Sequence, residues 1–271
     1  MQAMSELTTS NQQRHAGRAL RCLDLTSLNV DDTPEHIDAL CDRALEPAPG
    51  VDIHPAAVCI YPRFVSQARA RLEGTGISIA AVANFPLGTA PISRVVDEVE
   101  RALADGANEI DVVFPFRAYL AGDHSGPAEL VKRMAVLCHR GRSATLKVIL
   151  ETGVLHETSM IKACARLAVA NGADFLKTST GKLEPAATVE AAQALLEVIV
   201  AMRGPDQHIG LKVAGGVKTV AEASVYLDLA DQFFAPDGAN PSNFRFGASG
   251  LLNDIVAVLG GSHETQLSSE Y

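Results

Sequence analysis

Short apolar runs alternate along the chain with longer amphipathic stretches, and many of the runs end at proline or glycine. The runs predict eight strands, at residues 20–26, 56–61, 77–85, 109–114, 145–151, 174–177, 210–214 and 244–246. In most of the segments between them, apolar residues recur with the helical period of about 3.6 residues. Val95, Val96 and Val99 are one example, and Thr33-Pro34 is typical of a helix start. The pattern therefore predicts strands that alternate with helices.

This alternation is typical of parallel βα units. Eight units within about 250 residues fit a closed (β/α)₈ barrel, so we predict an α/β fold with one TIM-barrel domain over residues 19–259. An open doubly wound sheet is the alternative, but no Gly-x-Gly-x-x-Gly turn follows the first strand. Residues 1–18 are predicted to be a flexible N-terminal extension and residues 260–271 a flexible C-terminal tail, because both are mainly polar.

Five charged residues within predicted strands are candidate functional residues: Asp24, Asp111, Lys147, Lys177 and Lys212. Each alternates with apolar neighbours, so the period of two places the charges inside the barrel and the apolar residues toward the helices. Alternate strands share a layer, so we expect Asp111 and Lys177 in one layer and Lys147 and Lys212 in the next. Structural ion pairs are the alternative, but buried pairs seldom repay their desolvation. We therefore favour a chemical role.

Lysines held close together have a specific chemical consequence. Each cation raises the cost of protonating the other, and burial adds to it, so one amine can be neutral near pH 7. A neutral amine can attack a carbonyl and form an imine, which draws electrons from the neighbouring carbon–carbon bond. A carboxylate such as Asp111 can move the protons. These arguments leave open which of Lys147, Lys177 and Lys212 is the nucleophile.

Turns rich in glycine and hydroxyl residues follow the last three predicted strands. Their backbone N–H groups can approach an anion closely, and barrels often bind phosphate after strands 7 and 8. We therefore predict a phosphorylated substrate that is held by three turns, formed by Thr180, Gly181 and Lys182, by Gly215 and Gly216, and by Gly247, Ser249 and Gly250.

Composition argues against several other classes of protein. The net charge is −9 and no Lys/Arg run occurs, which disfavours a nucleic-acid binder. The five cysteines are scattered without a CxxC pair, as in a reduced cytoplasmic protein, and Cys59 is interpreted as packing near the site. No secretory signal or membrane span is predicted. The eight histidines form no H-x-H or H-x-x-x-H pair, so no metal is expected.

Seven segments, in order, resemble the deoxyribose-phosphate aldolase family of class I, Schiff-base enzymes. The resemblance runs from about Leu20 to Leu259 and is carried by Leu23-Asp24-Leu25-Thr26, Val58-Cys59-Ile60-Tyr61-Pro62-Arg63, Glu109-Ile110-Asp111-Val112-Val113, Leu146-Lys147-Val148-Ile149-Leu150-Glu151-Thr152, Phe175-Leu176-Lys177-Thr178-Ser179-Thr180-Gly181, Leu211-Lys212-Val213-Ala214-Gly215-Gly216-Val217 and Phe244-Arg245-Phe246-Gly247-Ala248-Ser249.

The resemblance implies a barrel that reversibly cleaves 2-deoxy-D-ribose 5-phosphate to D-glyceraldehyde 3-phosphate and acetaldehyde, without a metal or organic cofactor. It implies Lys177 as the imine-forming residue and Asp111 as the proton-relay carboxylate. Lys212 corresponds to the second lysine, which tunes the pKa of the amine and takes part in proton transfer. Family members tend to form dimers, so a homodimer is expected.

Four further residues are expected to support this site. Asp24 and Lys147 correspond to the supporting charged network of the family. Cys59 and Thr178 are expected beside that network, in the second strand and directly after Lys177.

The sequence departs from the family where Ser249 is followed by Gly250 instead of a second serine. The change removes one hydroxyl from the expected phosphate site, and our hypothesis is that it alters the preference for phosphorylated over unphosphorylated aldehydes. Rates for a Gly250→Ser variant with and without the phosphate test this, and an unchanged ratio contradicts it. Tyr271 ends the chain; a tail folded over the mouth would bring a proton-transferring phenol, whereas an inert tail is the alternative.

Three other functions share part of this pattern. A phosphosugar isomerase or epimerase needs the barrel and the turns but no lysine pair. A transaldolase or a fructose-bisphosphate-type aldolase would share the imine-forming lysine and differ in its substrate pocket. A barrel that only binds a ligand would not need the buried charges. Trapping with acetaldehyde and borohydride separates these functions from the one that the resemblance implies.

Overall fold

The eight predicted strands close into one parallel barrel in the order β1 to β8, and β8 pairs with β1. The computed structural model describes the backbone of residues 2–141, 144–204 and 208–260, and the side chains from residue 10 onward. The predicted (β/α)₈ barrel is confirmed. Its strands are β1 (Leu23–Thr26), β2 (Ala57–Ile60), β3 (Ser78–Ala83), β4 (Glu109–Val113), β5 (Thr145–Ile149), β6 (Phe175–Lys177), β7 (Gly210–Ala214) and β8 (Phe244–Ala248).

Helices surround the barrel and connect its strands. They are α1 (Gln2–Arg21), α2 (Pro34–Leu45), α3 (Val65–Leu72), α4 (Ile92–Asp105), α5 (Phe116–Leu120), α6 (Ser125–His139), α7 (Thr152–Leu155), α8 (Thr158–Ala170), α9 (Val189–Met202), α10 (Val220–Phe233) and α11 (Leu251–Val258). The predicted start of α2 is confirmed, since the Thr33 hydroxyl accepts the His36 N–H at 3.4 Å and Pro34 occupies the first turn.

The apolar residues of the charged strands pack outward, as the period of two predicts. Ile110, Val112, Leu176 and Leu211 are fully buried and belong to the large hydrophobic cluster that includes the helices. Burying side chains of this kind stabilises the fold by about 1.5–3 kcal/mol each. The interior of the barrel is therefore left to the charged residues that alternate with them.

The N-terminal segment differs from the flexible extension that its polar composition predicts. Helix α1 runs through the predicted boundary at residue 18 and packs against α10 and α11. Arg18 donates two hydrogen bonds to Asp231, at 2.6 and 2.9 Å, while Ala16 and Leu20 are fully buried. These partners lie more than 200 residues away in the sequence, so the local pattern could not reveal them. The predicted tail, apart from Gly260, and its Tyr271 lie outside the described residues.

Across the part of the chain that the structure describes, no helix combines the length and the apolar character that crossing a membrane requires.

Candidate active site

Seven charged side chains lie inside the barrel, and each is less than a tenth exposed. The predicted five, Asp24, Asp111, Lys147, Lys177 and Lys212, are brought together there. The other two, Glu109 and Arg245, were not predicted as site residues. Glu109 precedes Asp111 by two positions and Arg245 alternates with two phenylalanines, so the period of two that revealed the other five also marks these.

Asp111 is the centre of this cluster. Its Oδ2 atom accepts hydrogen bonds from the Lys177 and Lys212 amines, both at 2.8 Å, and its Oδ1 atom accepts one from Lys147 at 2.9 Å. The sequence predicted Lys147 and Lys212 in a layer next to that of Asp111 and Lys177. The long side chains remove this separation, because all three amines reach the same carboxylate.

Arg245 and Glu109 form the base of the cluster. Arg245 donates to both carboxylate oxygens of Glu109, at 2.9 and 3.2 Å, and to Oδ1 of Asp24 at 2.6 Å. Asp24 in turn accepts a hydrogen bond from Lys212 at 2.5 Å, and Glu109 accepts one from Lys147. Every charge of the cluster is therefore paired with an opposite charge, as burial requires. Lys212 is connected to Arg245 through Asp24, and Lys177 is connected to the other charges through Asp111.

The pKa shifts in this cluster have opposite signs for acids and bases. Burial disfavours the charged form of Lys212 and Lys147, but Asp111 and the other carboxylates outweigh it and raise the pKa of both amines. Burial would raise the pKa of Asp111 and Asp24, but the surrounding cations outweigh it and lower both values. Lys147 and Lys212 are therefore held as ammonium groups, which corrects the expectation that any of the three lysines could be the neutral one.

The three lysines differ in the number of ion pairs that they make. The cluster holds the four cationic side chains of the lysines and Arg245 against three carboxylates, so full ionisation leaves one excess positive charge. Lys177 contacts a single carboxylate, at an oxygen that it shares with Lys212, whereas Lys147 and Lys212 each contact at least two carboxylates. Among the described residues, Lys177 therefore makes the fewest ion pairs of the three lysines.

The lowered pKa values of Asp24 and Asp111 predict a stability loss in acid. A carboxyl whose pKa is lower in the folded state stabilises the fold above its unfolded pKa of about 4, and loses that contribution as the pH falls toward the folded value. The raised pKa values of Lys147 and Lys212 contribute stability that is fully present below about pH 10 and is lost only as the pH rises further, so they do not affect the acid range. We expect the free energy of unfolding, measured with urea, to fall below about pH 4. An Asp24→Asn variant should show a shallower fall, and an equal slope would contradict the assignment.

Cys59 lies beside Asp111, and Thr178 links the ends of two neighbouring strands. The Cys59 thiol lies 3.9 Å from Oδ2 of Asp111 and packs with Leu28, Ala80 and Val82. Burial raises the pKa of this thiol, which fits packing better than a role as a nucleophile. The Thr178 hydroxyl accepts the Ala214 N–H at 3.1 Å and so ties the end of β6 to the end of β7.

Two of the three predicted phosphate turns contact each other at the mouth. Gly181 and Gly215 have φ values of +75° and +81°, which favour glycine. A Cβ atom on Gly215 would lie 3.1 Å from the Gly181 Cα atom and 2.7 Å from the Ala186 Cβ atom, so the close approach also requires glycine. Within the first turn Thr180 is buried and Lys182 is exposed, and Gly216 of the second turn is also exposed.

Gly247 is the predicted turn residue whose position differs. It lies within β8 rather than in the turn, and a Cβ atom there would come within 2.9 Å of the Lys212 Cε atom and 3.0 Å of the Ala214 Cβ atom. Its role in the structure is therefore to leave room for the Lys212 side chain. Ser249 and Gly250 follow the strand, are exposed, and lead into α11.

A Gly247→Ala variant tests this role. The added methyl group should displace the Lys212 amine and reduce kcat/KM for the aldol cleavage that the resemblance implies by about 10- to 100-fold, since small misplacements of reacting groups are costly. Steady-state kinetics measures the effect. Gly17→Ala is the matched control, because its methyl group would meet only Ile53 at an ordinary 3.7 Å and far from the site. Equal kinetics for the two variants would contradict the role of Gly247.

Comparisons with known proteins converge on one family. Residues 18–254 match the family model described as DeoC/LacD family aldolase. The chain is 46% identical over 257 residues to the deoxyribose-phosphate aldolase of Agrobacterium fabrum (strain C58), an alignment that covers 94% of this chain and 96% of that protein.

Solved structures show the same similarity. An apo crystal structure from Toxoplasma gondii ME49, provisionally described as a deoxyribose-phosphate aldolase, matches with a TM-score of 0.80 at 25% identity, covering 93% of this chain and 98% of that one. A structure from Coccidioides immitis with the same provisional description matches with a TM-score of 0.74 at 26% identity, covering 92% and 95%.

Proposed function

The chain belongs to the DeoC/LacD family of aldolases, and on this premise we propose that it reversibly cleaves 2-deoxy-D-ribose 5-phosphate into D-glyceraldehyde 3-phosphate and acetaldehyde. The 46% identity to the Agrobacterium fabrum enzyme supports this substrate. The observation that carries the proposal is the buried Lys177 amine, which lies 2.8 Å from an Asp111 oxygen that Lys212 also contacts. This arrangement suits a class I, Schiff-base mechanism.

Imine formation is the first stage of the proposed reaction. The unprotonated Lys177 amine attacks C1 of the open-chain sugar, one proton passes from its nitrogen to the carbonyl oxygen, and this oxygen takes up a second proton from an acid and leaves as water. Lys212, held as an ammonium group by Asp24 and Asp111, is the donor placed to supply that proton. The product is an iminium whose nitrogen is that of Lys177.

Bond cleavage is the second stage. A base removes the proton of the C3 hydroxyl, the C2–C3 bond breaks, and its electron pair flows toward the iminium nitrogen. Glyceraldehyde 3-phosphate leaves, and the enamine is protonated at C2. Water then attacks the resulting iminium, so that acetaldehyde departs and the Lys177 amine returns. Asp111, which contacts all three lysines, is the relay that we assign to these proton transfers, directly or through water.

The phosphate of the substrate is assigned to the turns beyond β6, β7 and β8. Gly181 and Gly215 bring two backbone turns together beside the exposed Lys182 ammonium, and Ser249 adds a hydroxyl at the start of α11. Gly216 and Gly250 complete this set. These turns and the Lys177 amine lie at the same end of the barrel, where barrel enzymes place their reacting groups.

Reductive trapping tests the proposed function against its rivals. The protein is incubated with acetaldehyde, reduced with borohydride and mapped by mass spectrometry, and cleavage of deoxyribose 5-phosphate is assayed in parallel. We expect a two-carbon adduct on Lys177 and release of both products. Absence of any lysine adduct would remove the imine mechanism, and an adduct on Lys147 or Lys212 would overturn the assignment. A transaldolase or a fructose-bisphosphate-type aldolase would cleave other sugar phosphates in preference.

Three further properties belong to the same proposal. The reaction should be independent of metal, so a chelator should leave the rate unchanged. We expect a homodimer, which analytical ultracentrifugation can test. We also expect a cytoplasmic location, which agrees with five buried and unpaired cysteines.

A further inference from the structure

A buried carboxylate lies behind the first phosphate turn and is not used by the proposed reaction. Glu151 follows β5 by two residues, is fully buried, and has a left-handed backbone with φ +57°. A non-glycine residue rarely adopts this conformation, and its cost is commonly retained where function requires it. Burying a carboxylate is also costly unless it is hydrogen-bonded. The side chain therefore needs a specific reason for its position.

The hydrogen-bond donors to the Glu151 carboxylate all belong to Thr180 of the turn. The Thr180 N–H donates to both carboxylate oxygens, at 3.3 Å each, and the Thr180 hydroxyl donates to Oε2. The Thr180 hydroxyl oxygen accepts the Lys182 N–H at 3.1 Å. A chain of hydrogen bonds thus runs from Lys182 through Thr180 to Glu151 and determines the conformation of the turn.

The backbone around Glu151 is tied to the same loop. The Leu150 N–H donates to the Lys177 carbonyl and the Thr152 N–H to the Thr178 carbonyl, both at 2.9 Å. These bonds continue the β5–β6 pairing past the strands and hold Glu151 beneath the turn. The burial that results raises the pKa of the Glu151 carboxyl, while the hydrogen bonds from Thr180 oppose the increase. Glu151 thus connects the end of β5 to the turn that follows β6.

We infer that Glu151 is a positioning residue that holds the Thr180-Gly181-Lys182 turn in its phosphate-binding conformation, and that it thereby sets the preference for phosphorylated over unphosphorylated substrates. This inference rests on the proposed function. Glu151 does not bind the anion itself, because its carboxylate is negative and both of its oxygens face the donors of Thr180. It acts by directing those donors inward and leaving the Lys182 ammonium and the glycine backbone at the surface of the turn.

A Glu151→Gln variant separates this role from a catalytic or purely structural one. An amide retains the size of the side chain, but it removes the negative charge and replaces one of the two acceptor oxygens that the Thr180 N–H contacts by an NH₂ donor. We expect KM for deoxyribose 5-phosphate to rise by at least about 10-fold, with kcat changed much less. For unphosphorylated deoxyribose, kcat/KM should stay within about twofold of the wild type. The inhibition constant of inorganic phosphate against deoxyribose should rise together with the KM of the phosphorylated substrate.

Two further variants complete the test. Thr180→Val removes the hydroxyl that links Lys182 to Glu151 and should reproduce the phosphate-specific loss, even where Glu151→Gln folds poorly. Glu157→Gln is the matched control, since Glu157 is exposed in the next loop. An equal loss on both substrates would overturn the inference in favour of a role in the chemistry, and unchanged kinetics would also overturn it. A wild-type protein that cleaves neither substrate would instead contradict the proposed function.

Discussion

A Lys177→Met variant should lose aldol cleavage by at least about 10⁴-fold, because removal of the nucleophile closes the covalent route altogether. The variant should also lose the borohydride-trapped adduct with acetaldehyde. Its fold should be retained, since methionine has a similar length and the remaining cluster would hold three cations against three carboxylates. Coupled assay of the products, peptide mapping and urea unfolding measure the three effects.

Lys212→Met is the matched control for this experiment. It removes an ammonium group that contacts both Asp24 and Asp111, and these carboxylates are then left with fewer cations. We expect a slower reaction and a lower free energy of unfolding than in Lys177→Met, with the adduct still on Lys177. If Lys177→Met still formed the borohydride-trapped adduct, or if only Lys212→Met lost it, Lys212 would be the imine-forming residue in place of Lys177.

An Asp111→Asn variant should lower kcat by about 10²- to 10⁴-fold, the usual contribution of a positioned proton-transfer group. The amide cannot take up a proton, and it leaves four cations facing two carboxylates. The nucleophilic Lys177 nitrogen is retained in this variant, so the imine should still form and still be trapped. The exchange of the acetaldehyde methyl protons with solvent D₂O can be monitored by NMR. Slower exchange in the variant than in the wild type would show that proton transfer is the defective step.

The same variant should lose stability as well as activity. Breaking a buried ion pair costs about 3–5 kcal/mol, and Asp111 is paired with three lysines. Urea unfolding at neutral pH measures the change. Asp174→Asn is a matched control, because Asp174 is a strand-end carboxylate that lies outside the cluster and is partly exposed. Normal proton exchange in Asp111→Asn would contradict its role as the relay, whatever the effect on stability.

Local patterns predicted the barrel and the side of each strand that carries charge. The alternation around Asp111 and Lys177 is a property of neighbouring residues, and the pleat of a strand converts it directly into inward and outward faces. The resemblance to an aldolase family, carried by seven short segments, is confirmed by the family match over residues 18–254. Assignment of the catalytic roles to particular residues stays a prediction until the trapping and exchange experiments are done.

Local patterns could not show where one side chain needs room beside another residue, or which distant residues form hydrogen bonds. Gly247 belongs to a segment that suggests a phosphate turn, yet the structure shows that Lys212 needs the room beside it. Glu151 lies in one of the seven segments that resemble the family, where the sequence suggests no role for it. Its hydrogen-bond partner Thr180 is 29 residues further along the chain. Helix α1 begins in a polar segment, and its anchoring partner Asp231 lies on a helix near the other end of the chain.

The sequence by itself determined the fold class, the five inward charges and the family, because each depends on short-range periodicity or on contiguous motifs. Only the tertiary structure decided which charges meet. Asp24 and Arg245 are 221 residues apart and become neighbours because β8 closes onto β1. Closure of the barrel also brings three lysines to one carboxylate and leaves four cations against three acids. The physical reason is that charge balance belongs to the assembled interior, whereas alternation belongs to each strand alone.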